Sequence, residues 1–434
     1  MTAEPEVVAT SNAARRASIV VAAGVFASSL ANSQVLALPF RVALKDQLHA
    51  GPAVMATFLT LAMLPWHAKS LVGWISDRTP IGGERRRPYF VVAAGLAAIG
   101  WGAIALAPRQ LGPLLASLIT ANLGAVVASV VSGALLVEIG QRFARTQRLS
   151  QIRTLAAYGA VIPGSLLSGW LADRALGFTA AVAGSVMVGA ASLGAMLLLP
   201  RHQRENGVTA AAPAPPTAQE TGRAALFRLL RARALWLVTA FVFLLQLAPG
   251  FQSPLFFVQT EKLRFAPSYI GVLYAFASAA AVIVSLGYHR LVGTASLRRQ
   301  LQATVGLYVI GALAYLGYRS RGAAIPIEML GAIASAFGQI SLFALAARVA
   351  PTGLEGVAYA LVASLYSIGT HLSDVLGSLL YEDLHVGFST LVCVNAGASL
   401  LALVLMPLLP PQLLAAENRA SAETTPSTLV SRAS

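Results

Sequence analysis

Charge is scarce in this sequence. Only 11% of its 434 residues are Asp, Glu, Lys or Arg, against about 25% in a soluble domain. With 56% apolar residues, the chain cannot cover itself with a solvated surface, which argues against a soluble enzyme. The same apolar fraction excludes disorder for most of its length. Cysteine is almost missing: Cys393 stands alone, so neither a disulfide framework nor a thiolate zinc motif can form. His49, His67, His202, His289, His371 and His385 are scattered without ligand spacing, so no metal or other cofactor is expected. No G-x-x-x-x-G-K-[ST] loop is present, so nothing points to ATP as the direct energy source. No span holds a convincing catalytic cluster, and an enzyme is not expected. Acidic residues are the scarcer sign: 17 Asp and Glu face 31 Lys and Arg, a formal charge of +14. Such an excess raises either a nucleic-acid partner or a membrane protein with cationic loops.

Length of apolar sequence decides between them, because a helix needs about 20 apolar residues to cross a bilayer. Twelve segments qualify: Ser18–Phe40, Pro52–Ile75, Tyr89–Ala107, Leu111–Val137, Leu155–Ala172, Phe178–Leu199, Leu235–Val258, Tyr269–Leu291, Leu301–Leu316, Ile325–Val349, Leu354–Leu380 and Gly387–Leu409. They are numbered here as spans 1 to 12. Barrel strands would be about ten residues long with alternating polarity. Abundant interior Gly and Ala suit helices packed closely in lipid. Span 1 follows Arg15-Arg16 but is longer than the apolar core of a signal peptide, so it reads as a membrane helix. With the N-terminus inside, 22 of the 31 cationic residues fall at or beyond the inner ends of spans, 8 fall outside, and Lys69 lies within a span. This bias places both termini in the cytoplasm and the chain in the cytoplasmic membrane. Lipid is then its surroundings, and no nucleic acid is expected as a partner.

The longest connection lies between spans 6 and 7, and its centre, NGVTAAAPAPPTAQET, has no apolar period. The expected layout is a cytoplasmic tail over 1–17, a six-helix bundle over 18–200, a cytoplasmic linker over 201–233, a second six-helix bundle over 234–409, and a tail over 410–434. Gly164-Ser165-Leu166-Leu167 of span 5 recurs as Gly377-Ser378-Leu379-Leu380 of span 11. With the six-plus-six count, this supports duplicated bundles with a substrate site between them. The fold class is therefore all-α membrane protein.

Between spans 2 and 3 runs Gly73-Trp-Ile-Ser-Asp77-Arg78-Thr-Pro80-Ile-Gly82-Gly83-Glu84-Arg85-Arg86-Arg87-Pro88-Tyr89. Gly73 and Asp77 share a helix face, and Gly73 is expected to admit a close neighbour. Asp77 can meet a helix start or a guanidinium, and Pro80, Gly82 and Gly83 suit a turn. The segment resembles the G-x-x-x-D-R-x-G-R-R signature of the major facilitator superfamily. More narrowly, the chain resembles the folate-biopterin transporter family. The matching pieces are Leu44-Lys45-Asp46, Leu64-Pro65-Trp66, Lys69, Ser76-Asp77, Pro80-Ile81, Gly83 and Arg85-Arg86-Arg87-Pro-Tyr. In the other half they are Pro249-Gly-Phe251-Gln-Ser-Pro254-Leu-Phe256-Phe257, Thr260, Leu263, Phe265 and Tyr269-Ile270-Gly271. Gln151 and Tyr158-Gly159 through Gly169 add to these. The resemblance implies two pseudo-symmetric six-helix bundles and folates, pterins or antifolates as cargo. It also implies that spans 1, 4, 7 and 10 line the cavity. The chain departs from the family at span 4, where only Glu138 stands after Ser129 and Ser132, and at span 11, with His371 and Asp374.

Candidate working residues follow. Lys69 lies about six residues, roughly 9 Å at 1.5 Å per residue, from the inner end of span 2. It can receive a substrate carboxylate, or snorkel inward and fix the loop through Asp77. His371 and Asp374 are one turn apart and can carry a symported proton, or merely tie span 11 to a neighbour. Glu138, paired with Arg78 or with Arg85, Arg86 or Arg87, can form a cytoplasmic gate; the bland alternative is a plain surface carboxylate. Polar residues on the implied lining spans are Asn32, Ser33 and Gln34; Asn122, Ser129 and Ser132; Gln246, Gln252 and Ser253; and Ser335, Gln339 and Ser341. Each can face a ligand or pack against another helix. Trp66, Phe251, Phe256 and Phe257 can stack on a heterocycle. Pro249-Gly250 is expected to interrupt span 7, which makes 246–257 the best cavity segment.

The expected function is a secondary transporter working by alternating access, coupled to a proton or another ion, carrying a folate- or pterin-like anionic heterocycle as a monomer. The alternatives are a permease for a peptidoglycan fragment or drug, and a non-transporting assembly factor or sensor on the same fold.

Overall fold

The computed structural model describes residues 35–82, 87–106, 110–142, 146–174, 231–292, 295–349 and 355–410. Asn32, Gln34, Arg85, Arg86, span 6, the N-terminal tail, residues 201–230 of the linker and residues 411–434 lie outside the described residues. So do the side chains of Asp77, Arg78, Arg87 and Glu138.

Among the described residues the chain is helical, with no strand. The first half contributes α1 (Val35–Leu48), α2 (Pro52–Ala62), α3 (Leu64–His67), α4 (Lys69–Arg78), α5 (Arg87–Leu106), α6 (Leu111–Arg142) and α7 (Thr146–Asp173). The second contributes α8 (Arg233–Gln246), α9 (Gln252–Phe257), α10 (Pro267–Val292), α11 (Leu297–Ala314), α12 (Arg321–Val349), α13 (Glu355–Glu382) and α14 (Phe388–Leu405). Among the described residues, six helices are long and apolar enough to cross a membrane, and α2 and α8 are shorter apolar helices. Ile99, Ile283, Leu286 and Val404 are each more than 60% exposed along these helices. Such a surface suits lipid and not water. Hydropathy marks the apolar slab rather than the helix ends, so α6 runs on to Arg142 and α7 begins at Thr146, beyond their apolar spans.

Two spans that are continuous in hydropathy are broken in structure. Span 2 is divided into α2, α3 and α4 by turns at Met63 and Ala68. Span 7 stops at Gln246 and restarts at Gln252, where Pro249 has no N–H to give a helix. A π-helical turn, Val258–Lys262, follows.

The two halves meet at the end opposite residues 79–82. A core of Leu38, Phe40, Phe58, Phe256, Phe265 and Ile270 draws side chains from both. Two carboxylates reach across to helix starts there. Glu382, at the end of α13, accepts the N–H of Ala53 at 2.7 Å, and Asp173, at the end of α7, accepts that of Ser268 at 3.0 Å. Both acceptors meet the residue just after a helix-opening proline, Pro52 or Pro267, where the backbone N–H has no partner inside its own helix. Lys45 adds an ion pair with Glu261 at 3.4 Å. Where α7 crosses α10, Gly169 and Gly271 let backbone meet backbone: a Cβ on Gly271 would lie 2.6 Å from the Ser165 carbonyl oxygen.

Candidate functional site

The break in span 7 frees backbone groups inside an apolar bundle, and each needs a partner. Neighbouring helices supply them. The Gly250 N–H donates to the Ser373 carbonyl at 2.8 Å, and Asn395 Nδ2 donates to the Pro249 carbonyl at 2.9 Å. The Ser373 hydroxyl donates to the Ala248 carbonyl. Asp374 closes the restart: one oxygen accepts the Ser253 N–H at 2.8 Å and the other the Ser253 hydroxyl at 2.7 Å. This is the N-cap arrangement, with a carboxylate at the positive end of a short helix. Gly377 lets α13 come this close, since a Cβ there would lie 1.6 Å from the Gly250 carbonyl oxygen.

A cavity of about 540 Å³ opens beside the break. Its wall combines the amides of Gln246, Gln252 and Asn395 with the rings of Phe251, Tyr274, Tyr308 and Tyr315. Charged residues on the wall are Arg41 from α1, Glu328 from α12 and Asp374 from α13. A few convergent polar groups among aromatic surfaces suit a flat, polar-edged ligand. Gln246 also donates to the Thr370 hydroxyl at 3.0 Å, which fixes its amide.

Glu328 is 8% exposed and takes three hydrogen bonds: from Tyr315 at 3.1 Å, Tyr318 at 2.9 Å and Gln259 at 3.1 Å. Sequence reasoning missed it, as it missed Arg41, Tyr274, Tyr308, Tyr315 and Asn395. A lone carboxylate four residues into span 10 is the signal that could have found Glu328. Arg41, one residue past the apolar limit of span 1, could have been found by allowing the helix to continue to Leu48.

Of the residues expected from sequence, Gln246, Gln252, Ser335 and Asp374 line this cavity together with Phe251. Gln339 and Phe256 are not among the lining residues. Phe256 is 1% exposed and stands edge-on to Phe257 in the core. Asn122 serves the kink in span 2: it donates to the Ala62 carbonyl at 3.0 Å and accepts Trp66 Nε1–H at 3.0 Å. Lys69 Nζ sits 4.1 Å from the centroid of the Trp66 ring. His371 and Asp374 diverge. His371 Nδ1 lies 2.7 Å from the Ser367 carbonyl oxygen, and its ring stands edge-on to His67 of the first half at 5.6 Å.

At the loop, Gly82 has a φ of 63°, the left-handed conformation that a turn asks of glycine. The close approach expected at Gly73 is not found: a Cβ there would sit an ordinary 3.6 Å from Val130 Cγ1. After the turn at Ala68, α4 restarts as a separate helix and packs beside α6 at this ordinary van der Waals distance. Tyr89 ties the loop to α5 by donating to the Thr79 carbonyl at 2.8 Å.

Residues 31–428 match the BT1 family. The folate-biopterin transporter of Synechocystis sp. is 27% identical over 401 residues, covering 85% of this chain and 76% of the relative. An Arabidopsis thaliana protein named "Probable folate-biopterin transporter 7" is 27% identical over 377 residues, covering 81% and 84%. Among solved structures, the nucleoside transporter NupG aligns with a TM-score of 0.73 at 12% identity, over 91% of this chain and 100% of that one. At such identity the likeness speaks for the fold, that of the major facilitators, and not for the cargo. Helices suited to lipid, a polar cavity beside a broken helix and a family match along most of the sequence converge: the chain belongs to the BT1 family and is a multi-pass membrane transporter of a small molecule.

Proposed function

We propose that the chain is a secondary transporter for a folate- or pterin-like anionic heterocycle, working by alternating access and coupled to protons. The observation that carries this reading is the cavity itself. Its amides can pair with the donor and acceptor edge of a pterin ring, and its phenol rings offer faces for stacking. Arg41 supplies the cation that an anionic tail requires. The names of the relatives, folate-biopterin transporters, favour the same class of cargo.

The positive-inside bias favours a cytoplasmic side at residues 79–82. The end where Glu382 meets Ala53 and Asp173 meets Ser268 then faces outward, so this is a conformation closed to the outside. Opening that end requires α2 to part from α13 and α7 from α10, a rocking of one bundle against the other. His371 and Asp374 serve as the mechanical link in this cycle. One faces His67 across the boundary between halves, and the other holds the restart of span 7 at the cavity wall. The corresponding cytoplasmic gate is proposed for Glu138 with Arg78, Arg85, Arg86 or Arg87.

Purified protein in proteoliposomes tests the reading. Labelled folate or biopterin is expected to accumulate when a proton gradient is imposed, and to equilibrate without accumulation when the gradient is collapsed. Failure of both compounds to enter under either condition sinks the assignment of cargo. Accumulation independent of the gradient sinks the coupling.

A further inference from the structure

Glu328 sits inside a cage that has room for one more proton. Its carboxylate receives the hydroxyls of Tyr315 and Tyr318 and one N–H of Gln259. The second N–H of Gln259 goes to the Tyr318 oxygen at 2.6 Å. All four hydrogens of these donors are thereby used. Gln259 Oε1, on a residue only 1% exposed, is left with no hydrogen-bond partner among the described residues. A buried acceptor without a donor costs free energy.

Turning the Gln259 amide over would place its oxygen beside the Tyr318 hydroxyl and the Glu328 carboxyl. Two oxygens then face each other unless Glu328 carries a hydrogen to donate. The cage therefore has two arrangements: an ionised carboxylate with the amide N–H groups inward, and a neutral acid with the amide oxygen inward and the amide N–H groups turned to where Gln259 Oε1 now stands. Water in the cavity can exchange the proton, because Glu328 and Tyr315 both belong to its wall.

We propose that Glu328, caged by Tyr315, Tyr318 and Gln259, is the site that takes up and releases the coupled proton. Protonation adds one hydrogen from a cavity hydronium ion to a carboxylate oxygen and leaves water. Deprotonation returns it. No covalent partner or oxidant is involved. The titratable and charged groups around the site are Tyr315 from the turn after α11 and Tyr318 just beyond it, Tyr274 of α10, Arg41 of α1 and Asp374 of α13. Gln259 of the π-helical turn is the neutral partner. Arg41 shares the cavity with both carboxylates, so a gain or loss of charge at Glu328 alters the field in which an anionic cargo binds.

The inference rests on the proposed proton-coupled transport, so its experiment has one arm that needs no cargo. In that arm, purified full-length protein is titrated by infrared difference spectroscopy. The C=O stretch of a neutral carboxyl group is expected in the wild type, to vanish in Glu328→Gln, and to appear at a different pH in Tyr318→Phe. A band that survives Glu328→Gln, or a midpoint unmoved by Tyr318→Phe, overturns the proposal. In the second arm, Glu328→Gln in proteoliposomes is expected to lose gradient-driven accumulation of labelled folate. Full accumulation by that variant overturns the assignment. A sodium gradient that drives uptake at constant pH in the wild type but not in Glu328→Gln overturns the proton in favour of a sodium ion. If the wild type carries no folate at all, the reading of the cargo fails while the infrared arm still decides the proton site.

Discussion

Glu382 at the last turn of α13 and Ala53 at the first turn of α2 stand 2.7 Å apart, carboxylate oxygen to backbone nitrogen, across the boundary between the two halves. Asp173 and Ser268 repeat the relationship between α7 and α10 at 3.0 Å. Each carboxylate acts as a helix cap supplied from the opposite bundle. Loss of such a cap costs about 1 kcal/mol. Glu382→Ala and Asp173→Ala are each expected to shift the conformational balance toward opening at this end, and together to shift it by about 2 kcal/mol, because distant sites add. Labelling rates of a cysteine placed between α2 and α13 measure the shift. Equal labelling of the double variant and the parent would remove the latch.

Arg41→Gln is expected to raise the KM for folate by about 10- to 100-fold, the range for losing a hydrogen bond to a charged group. Biopterin, which has no glutamate tail, should be affected far less. A uniform loss for both compounds would take Arg41 away from the tail.

Gly377→Ala would push a methyl group to within 1.6 Å of the Gly250 carbonyl oxygen. Backbone cannot yield there as a flexible side chain would, so a cost of about 3 kcal/mol or more is expected. A lowered thermal midpoint, or loss of monodisperse protein, reports it. Gly397→Ala is the control, because a Cβ at Gly397 would meet nothing within 4 Å.

Asn122→Leu should destabilise the kink in span 2. It leaves Trp66 Nε1–H without its acceptor and the Ala62 carbonyl without that donor, at a cost of about 1–3 kcal/mol for each buried group. Trp66→Phe in the same background should cost little more, since the orphaned N–H is already lost to the network. Additive losses would show that the two residues do not act together.

The architecture was largely legible in the sequence, because lipid demands long apolar runs and runs are local. The interruption of span 7 was legible for a similar reason: Pro249-Gly250 is a local chemical fact. The wall of the cavity was less so. Glu328 lies near the start of span 10 and reads as an end residue. What makes it a site is burial by Tyr315 and Tyr318 from a preceding turn and by Gln259 from another span, which only tertiary structure brings together. Asn122 and Phe256 illustrate the converse. A polar or aromatic residue on a lining span can be fully occupied by its neighbours: Asn122 of span 4 holds the kink in span 2, and Phe256 packs edge-on to Phe257. His67 gains meaning only beside His371, from the far half of the chain.

The crossing of Gly169 on Gly271 has a mechanical corollary. Two surfaces that touch through main-chain atoms have no interlocking side chains to disengage and no rotamers to reset when they part. Their separation and return need no repacking, so this crossing can serve as a bearing, and the resistance to motion falls on the capping carboxylates and the shared aromatic core around it.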